Sequence, residues 1–292
     1  MNDQQRLQRA INEKVTAHIP GSAWKSATAI VIAQKNAVHQ FGTAILFSVG
    51  DYSFAVTAGH VVKEAQRRGK TLALSSAAGS FVAVPGQWLA SSEGQYRTDT
   101  DPFDIAVHKL PQDTVDRLSG KAFLRFDDIE FGSQPATAVY TLFGFPAVLT
   151  KSSTSDADKL LLRPFQYTTF AYDRETDGLA EYQERFHLLL DAQLGHSSAG
   201  DGSPAQFRDR QGNHVPFPKG LGGISGCSVW RIGDLNTAID DWGRERARNV
   251  AVQTSVYHGS QAIKATRWIA VRTLLHEAFP EVRPSMRLWR PR

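Results

Sequence analysis

The 292-residue sequence has a single cysteine, Cys227. One thiol cannot form an intrachain disulfide, so a small secreted fold stapled by cysteine pairs is excluded. No stretch reaches the roughly 18 apolar residues that a membrane-spanning helix needs. The chain begins Met1-Asn2-Asp3-Gln4-Gln5-Arg6, polar from the outset and without the apolar core of a signal peptide. A soluble, cytoplasmic protein with no membrane contact is expected. There is no fixed-period repeat, no Walker loop and no dinucleotide fingerprint. The other eight of its nine histidines lack metal-ligand spacing, and His60-x3-Glu64 is not a zincin helix motif. No cofactor and no metal are expected. Charge of one sign is missing too: 33 basic residues stand against 29 acidic, a net charge of +4. Much of that surplus lies at the C-terminus, in Arg283, Arg287, Arg290 and Arg292, which read as a solvated tail rather than a nucleic-acid surface.

What is present is ordinary globular composition, 41% hydrophobic and 21% charged, in a chain long enough for one large domain or two small ones. Leu7, Ile11 and Val15 recur at intervals of four among polar neighbours, which predicts a short amphipathic helix over residues 3–17 that Pro20-Gly21 stops. From Ala27 the pattern turns to apolar runs of about five residues, most of them bounded by Gly, Asp, Ser or Pro. These runs predict strands at 28–33, 43–49, 53–57, 71–74, 81–84 and 104–107. A second series follows at 136–143, 160–162, 166–172, 186–192, 227–232, 249–256 and 266–271. Residues 272–279 read as a closing helix ended by Pro280. The expected organisation is a lead-in helix over 1–24, a β-rich half over 25–110 and a connector over 111–130. A second β-rich half over 131–272 and a C-terminal helix and basic tail over 273–292 complete it. Residues 195–220, rich in Gly, Ser and Pro, form a long loop, and loops of that length are usually functional or mobile.

Three segments carry chemistry. Val56-Thr57-Ala58-Gly59-His60-Val61-Val62 sets a histidine in a small-residue turn after an apolar strand. Asp101-Pro102-Phe103-Asp104-Ile105-Ala106-Val107 opens an apolar strand with an aspartate. Gly222-Gly223-Ile224-Ser225-Gly226-Cys227-Ser228-Val229-Trp230 holds a serine in a glycine-rich turn that feeds a strand. A serine hydroxyl is a poor nucleophile until an imidazole removes its proton, and a carboxylate must hold that imidazole in the useful tautomer. The order His60, Asp104, Ser225, with separations of 44 and 121 residues, differs from the Asp-His-Ser and Ser-Asp-His orders of other hydrolase folds. Asp240 and His258 follow Ser225 in the elbow order, but no βαβ alternation accompanies them.

At these residues the chain resembles the chymotrypsin-like (trypsin-fold) serine peptidases, in particular their bacterial, disulfide-free type. The resemblance covers most of residues 25–275 in order and spacing, with about twenty residues matching specifically. It implies an all-β fold of two antiparallel six-stranded β-barrels with short N- and C-terminal helices. It further implies His60 as general base, Asp104 as its orienting carboxylate, Ser225 as nucleophile, and the amides of Gly223 and Ser225 as the oxyanion hole. The substrate would be a protein or peptide. In the resembled fold the primary pocket is lined before the serine and by a later strand, here about 218–222 and 255–259. Lys219 and His258 are the specificity candidates there, favouring an acidic side chain. Three positions depart from the pattern. Cys227 and Ser228 replace a small residue and a proline, and Ile224 stands where activated secreted relatives carry an aspartate. Activation by N-terminal cleavage is therefore not expected, and Cys227 reads most simply as a small buried thiol. The long serine spacing implies insertions around 150–159 and 195–219. Control is expected from the long loops, the end helices or a separate regulatory protein. The reading from another class is a catalytically silent trypsin-fold module that binds proteins; a cysteine peptidase using Cys227 is a distant third.

Overall fold

The computed structural model describes residues 6, 10–11, 13–15, 21–34, 37–93, 101–152, 160–193, 196–199, 222–242 and 247–287. Its strands fall into two antiparallel sheets. The first contains β1 (Ala27–Gln34), β2 (Ala37–Val49), β3 (Tyr52–Ala58), β4 (Leu72–Ser75), β5 (Phe81–Ala83), β6 (Leu89–Ala90) and β7 (Ile105–Leu110). Their order across the sheet is β5-β4-β1-β2-β3-β7-β6. The second half begins with β8 (Ala138–Gly144), then β9 (Lys151–Ser152) and β10 (Leu160–Leu161), which pair apart as a two-stranded ribbon. After β11 (Phe165–Phe170), β12 (His187–Asp191) and β13 (His196–Ala199) come β14 (Ser228–Asp234), β15 (Arg248–Tyr257) and β16 (Ala262–Arg267). The order of this sheet is β12-β16-β15-β14-β8-β11-β13. A bridge between Ala171 and Leu190, with Tyr172 N donating to Leu189 O at 3.0 Å, joins β11 back to β12. That closes β12, β16, β15, β14, β8 and β11 into a six-stranded barrel, with β13 as an added edge. The first sheet has seven strands rather than six because the two-residue β6 adds an edge to β7.

The strands read as apolar runs because both of their faces are buried. On β2, Ala44 and Leu46 enter the core of the first barrel, while Ile45 and Phe47 face a third cluster between the halves. On β8, Tyr140 and Leu142 fill the second barrel, and Val139 and Phe143 face the same shared cluster. Alternation with period two is intact; each side of the strand simply meets a different core. Ile11 and Val15 of the N-terminal segment, both fully buried and helical, also pack into the shared cluster, whereas Leu7 lies outside the described residues.

Two boundaries differ from the sequence expectation. The run 266–271 is not a strand: β16 ends at Arg267, and a helix covers Trp268–Ala278. Trp268, Val271 and Leu275 are spaced to share one helical face, and all three are buried in the shared cluster, so tertiary packing overrides the β-branched composition. Nor is Arg283 part of a solvated tail. Pro280 leads into further helical turns, Met286 is buried, and Arg283 Nε donates to His276 O at 2.7 Å, capping the preceding helix. Arg287 is exposed, and Arg290 and Arg292 lie outside the described residues. Among the described residues no helix is long and apolar enough to cross a membrane.

The halves are tied by a buried histidine. His187 Nε2 donates to Pro102 O at 2.7 Å, and its Nδ1 accepts from Gln183 N at 2.8 Å, which requires the neutral ring. Burial, and then the charge of Lys264, push its pKa from 6.5 down to about 4. The unfolded chain therefore takes up this proton near pH 6.5, but the folded chain does not until about pH 4. Stability from the neutral ring is fully present above pH 6.5 and is lost as the pH falls through 4. We expect the melting temperature to drop across that window by the equivalent of at most about 3 kcal/mol. The slope should be shallower in His187→Gln, as thermal unfolding at a series of pH values would read out.

Candidate active site

Strand β3 ends at Ala58, and the chain turns directly into a helix over Gly59–Arg67, which places His60 in its first turn. The sequence reading saw only a turn here. The helix was legible from Val61, Val62 and Ala65, which are buried on one side, against the exposed Lys63, Gln66 and Arg67. Glu64 accepts from Arg67 and Arg68 at 2.6 and 2.7 Å, and these bonds hold its carboxyl down at about 2. The pair is solvent-exposed and adds little stability.

Asp104 sits at the mouth of β7 with φ of +49°, a left-handed conformation that an aspartate tolerates better than most residues. Four bonds specify it. Its N–H donates to Asp101 Oδ1 at 3.1 Å, and its carbonyl accepts from Gly59 N at 2.7 Å. Its Oδ1 accepts from His60 N, and its Oδ2 meets His60 Nδ1, each at 2.6 Å. A carboxylate only accepts, so Nδ1 carries the hydrogen and Nε2 of the neutral ring is left with its lone pair. The His60 side chain is 50% exposed and that of Asp104 only 16%, so the carboxylate backs an imidazole that is open to solvent. Gly59 suits this closeness, since a Cβ there would stand a tight 3.1 Å from Asp104 Oδ1 and 3.2 Å from its backbone carbon.

The residues before Asp104 are held by the other half of the molecule. His187 binds the Pro102 carbonyl, and Thr266 Oγ1 donates to Phe103 O at 2.6 Å. On the opposite side, Asp101 accepts from Ser91 Oγ at 2.7 Å and pairs with Lys63 at 3.0 Å. Sequence reasoning missed Thr266 and His187 because nothing at 187 or 266 signals a partner at 102 or 103.

Ser225 lies in the turn that precedes β14. Its carbonyl accepts from Thr43 N at 2.9 Å, and Gly226 N donates to Gln253 O at 2.8 Å. Gly226, at φ of +91°, is pressed onto the first barrel: a Cβ there would overlap Thr43 O and Thr57 Oγ1 and stand 3.0 Å from Thr57 Cα. Thr57 is three residues before His60, so one contact brings the serine turn beside the histidine. The Ser225 hydroxyl makes no hydrogen bond to His60 or to any other described residue. Gly223 and Ser225 also have amides that donate to no acceptor among the described residues. The peptide planes fix where these amides point. Gly222 O accepts from Ala147 N and Ile224 O from Cys227 N, each at 2.8 Å, so the N–H on the far side of each trans peptide faces away from those partners. Among the described residues, then, the Ser225 hydroxyl and the amides of Gly223 and Ser225 have no hydrogen-bond partner.

Cys227 is fully buried, and its thiol is pushed far up by desolvation, the reverse of what a nucleophilic cysteine needs. Ile224 is 1% exposed in the core of the second barrel. Of the specificity candidates, Lys219 lies outside the described residues. His258 is exposed in the turn between β15 and β16. Asp240 sits in a short helical turn beside Lys14, away from this constellation. From Thr254 onward β15 has β16 on one side and, among the described residues, no strand on the other.

No family model matches this chain, and no curated protein matches it. Solved structures do. A thermostable serine protease, AL20, from an extremophilic microorganism is 11% identical and matches 88% of this chain and 99% of its own, with a TM-score of 0.47. An HtrA-type protease, AlgW, solved with a decapeptide, is 13% identical over 90% of this chain and 67% of its own, with a TM-score of 0.48. An inactivated protease paralogue of the scabies mite is 13% identical over 89% of this chain and 96% of its own, with a TM-score of 0.47.

The turn's glycines are not equivalent. Gly226→Ala combines a forbidden φ with overlap on immobile backbone, and we expect it to cost on the order of 3 kcal/mol. Gly222→Ala meets nothing within 4 Å and should stay within about 1 kcal/mol of the parent. Urea unfolding of the two variants checks the contrast.

Proposed function

We propose that this protein is a serine endopeptidase that hydrolyses peptide bonds through an acyl-enzyme intermediate. His60 is the general base, Asp104 its orienting carboxylate, Ser225 the nucleophile, and the amides of Gly223 and Ser225 the oxyanion donors. The observation that carries this reading is the two-point contact of His60 with Asp104, which fixes the Nδ1–H tautomer beside a serine turn seated on Thr57. In the reaction Nε2 takes the Ser225 proton as Oγ attacks the carbonyl carbon. The same proton then passes to the leaving amine, and water repeats the cycle to release the acid. The substrate is an extended protein or peptide segment, which the edge of β15 from Thr254 onward, unpaired among the described residues, can accept as an added strand. An intracellular site of action is part of the proposal, in keeping with a lone, buried thiol. The gating expected of residues 195–220 concerns segments mostly outside the described residues, and nothing in the geometry above supports it.

A second reading, a silent protein-binding module on the same fold, is favoured by a Ser225 hydroxyl that bonds to no described residue. Free peptidases often have long catalytic bonds that tighten with substrate, so this feature alone does not decide. A fluorophosphonate probe does. Labelling of Ser225 in the parent, abolished in Ser225→Ala, supports the peptidase; a parent that stays unlabelled leaves the binding module. With an active parent, Asp104→Asn should lower kcat by about 10⁴-fold while leaving the fold intact, because it removes the carboxylate that selects the tautomer. Steady-state kinetics with a cleavable peptide would measure it.

A further inference from the structure

Gln40 lies on β2, three residues before Thr43. Its Nε2 reaches three carbonyls: Gly42 O at 2.8 Å, Gly223 O at 2.8 Å, and Phe145 O. These belong to three separate segments, namely the first barrel, the corner that follows β8, and the turn that carries Ser225. Gly223 O receives a second donor, Thr43 Oγ1, at 3.2 Å, and that same hydroxyl oxygen accepts from Phe145 N at 3.1 Å. The carboxamide oxygen of Gln40, by contrast, is buried and has no partner among the described residues. An orphaned buried acceptor is costly, and an apolar side chain would avoid it, so the contribution of this residue lies in its nitrogen.

The nitrogen acts on the most pliable point of the turn. Gly223 has φ of +92° and no side chain, so without outside restraint its flanking peptides rotate at little cost. One flank is pinned by Ala147 N on Gly222 O, the other by Gln40 and Thr43 on Gly223 O. Ile224 then anchors the next residue in the core of the second barrel. We infer that Gln40 is a positioning residue that clasps the nucleophile turn to the first barrel, so that the amides of Gly223 and Ser225 are presented together. The inference rests on the proposed function and adds how its oxyanion site is kept assembled. Every group in the clasp is uncharged, so its hold does not vary between pH 6 and 9.

Gln40→Met and the isosteric Gln40→Glu, which has no N–H to offer, test this against the full-length parent. Thr43→Val, which removes the second donor to Gly223 O together with the acceptor of Phe145 N, serves if the Gln40 variants fail to fold. Two readouts are needed. Amide exchange of a peptide spanning 222–230 should accelerate by about tenfold or more, with peptides from β3 and β8 unchanged. With a peptide substrate kcat should fall about 10²–10³-fold, the scale of one lost oxyanion donor, with KM altered less than about threefold. A peptide boronic acid, whose tetrahedral adduct needs the same donors, should lose affinity in parallel, and in Gln40→Met, which adds no ionisable group, equally at pH 6 and 9. Unchanged exchange and kcat would overturn the clasp, and exchange that rises throughout the molecule would reduce Gln40 to a general stabilising residue. If the parent does not react with fluorophosphonate, the peptidase reading fails, and local exchange at 222–230 still decides whether Gln40 holds the turn.

Discussion

The cleft depends on one contact between the barrels, the seating of Gly226 on Thr43 and Thr57. Each barrel buries its own core, and nothing inside either one brings residue 225 to residue 60. The absence of a Cβ at 226 lets the serine turn lie flat on β2 and β3, and Ser225 O then pairs with Thr43 N as though it continued the sheet. Because β3 runs straight into the helix that bears His60, seating the turn at Thr57 also sets the distance from serine to imidazole. In an enzyme, a displacement of about an ångström at such a point can cost on the order of 10²-fold in rate.

Three further ties brace that contact. His187 and Thr266 reach from the second barrel to the carbonyls of Pro102 and Phe103, fixing the approach to Asp104. Gln40 reaches from the first barrel to Gly223. Beneath them the shared apolar cluster, with Trp230, Trp268 and Phe47 fully buried, sets the separation of the halves. Asp104 and the serine turn are thus each positioned by the barrel that does not carry them, while His60 is held by Asp104 within its own. This cross-bracing lets Asp104 keep its left-handed φ, a strained state that persists only where surrounding bonds over-determine it.

Much of this was legible in the sequence, for definable reasons. Strands with two buried faces give apolar runs, and turns need Gly, Pro, Asp or Ser, so most strand positions could be placed. His60, Asp104 and Ser225 stood out because each sits in a small or polar turn at a strand edge. The run 266–271 was misplaced because Trp268, Ile269 and Val271 have strand-like composition while their burial follows helical spacing. The Gly59–Arg67 helix was overlooked because the small residues at its start read as a turn. Gln40, His187 and Thr266 carry no local signal, since their partners lie 183, 85 and 163 residues away.

By itself the sequence determined the all-β character, the division into two halves and the identity of the groups able to attack, accept a proton or orient a base. These follow from periodicity and side-chain chemistry, which are local properties of the chain. Tertiary structure alone decided that the Asp104 carboxylate meets His60 at two points, that the serine turn is seated on Thr43 and Thr57, and that Cys227 is sealed away from solvent. Such outcomes depend on which carbonyl meets which donor across the seam between two cores. That pairing is set by packing at a distance and leaves no trace in the spacing of residues.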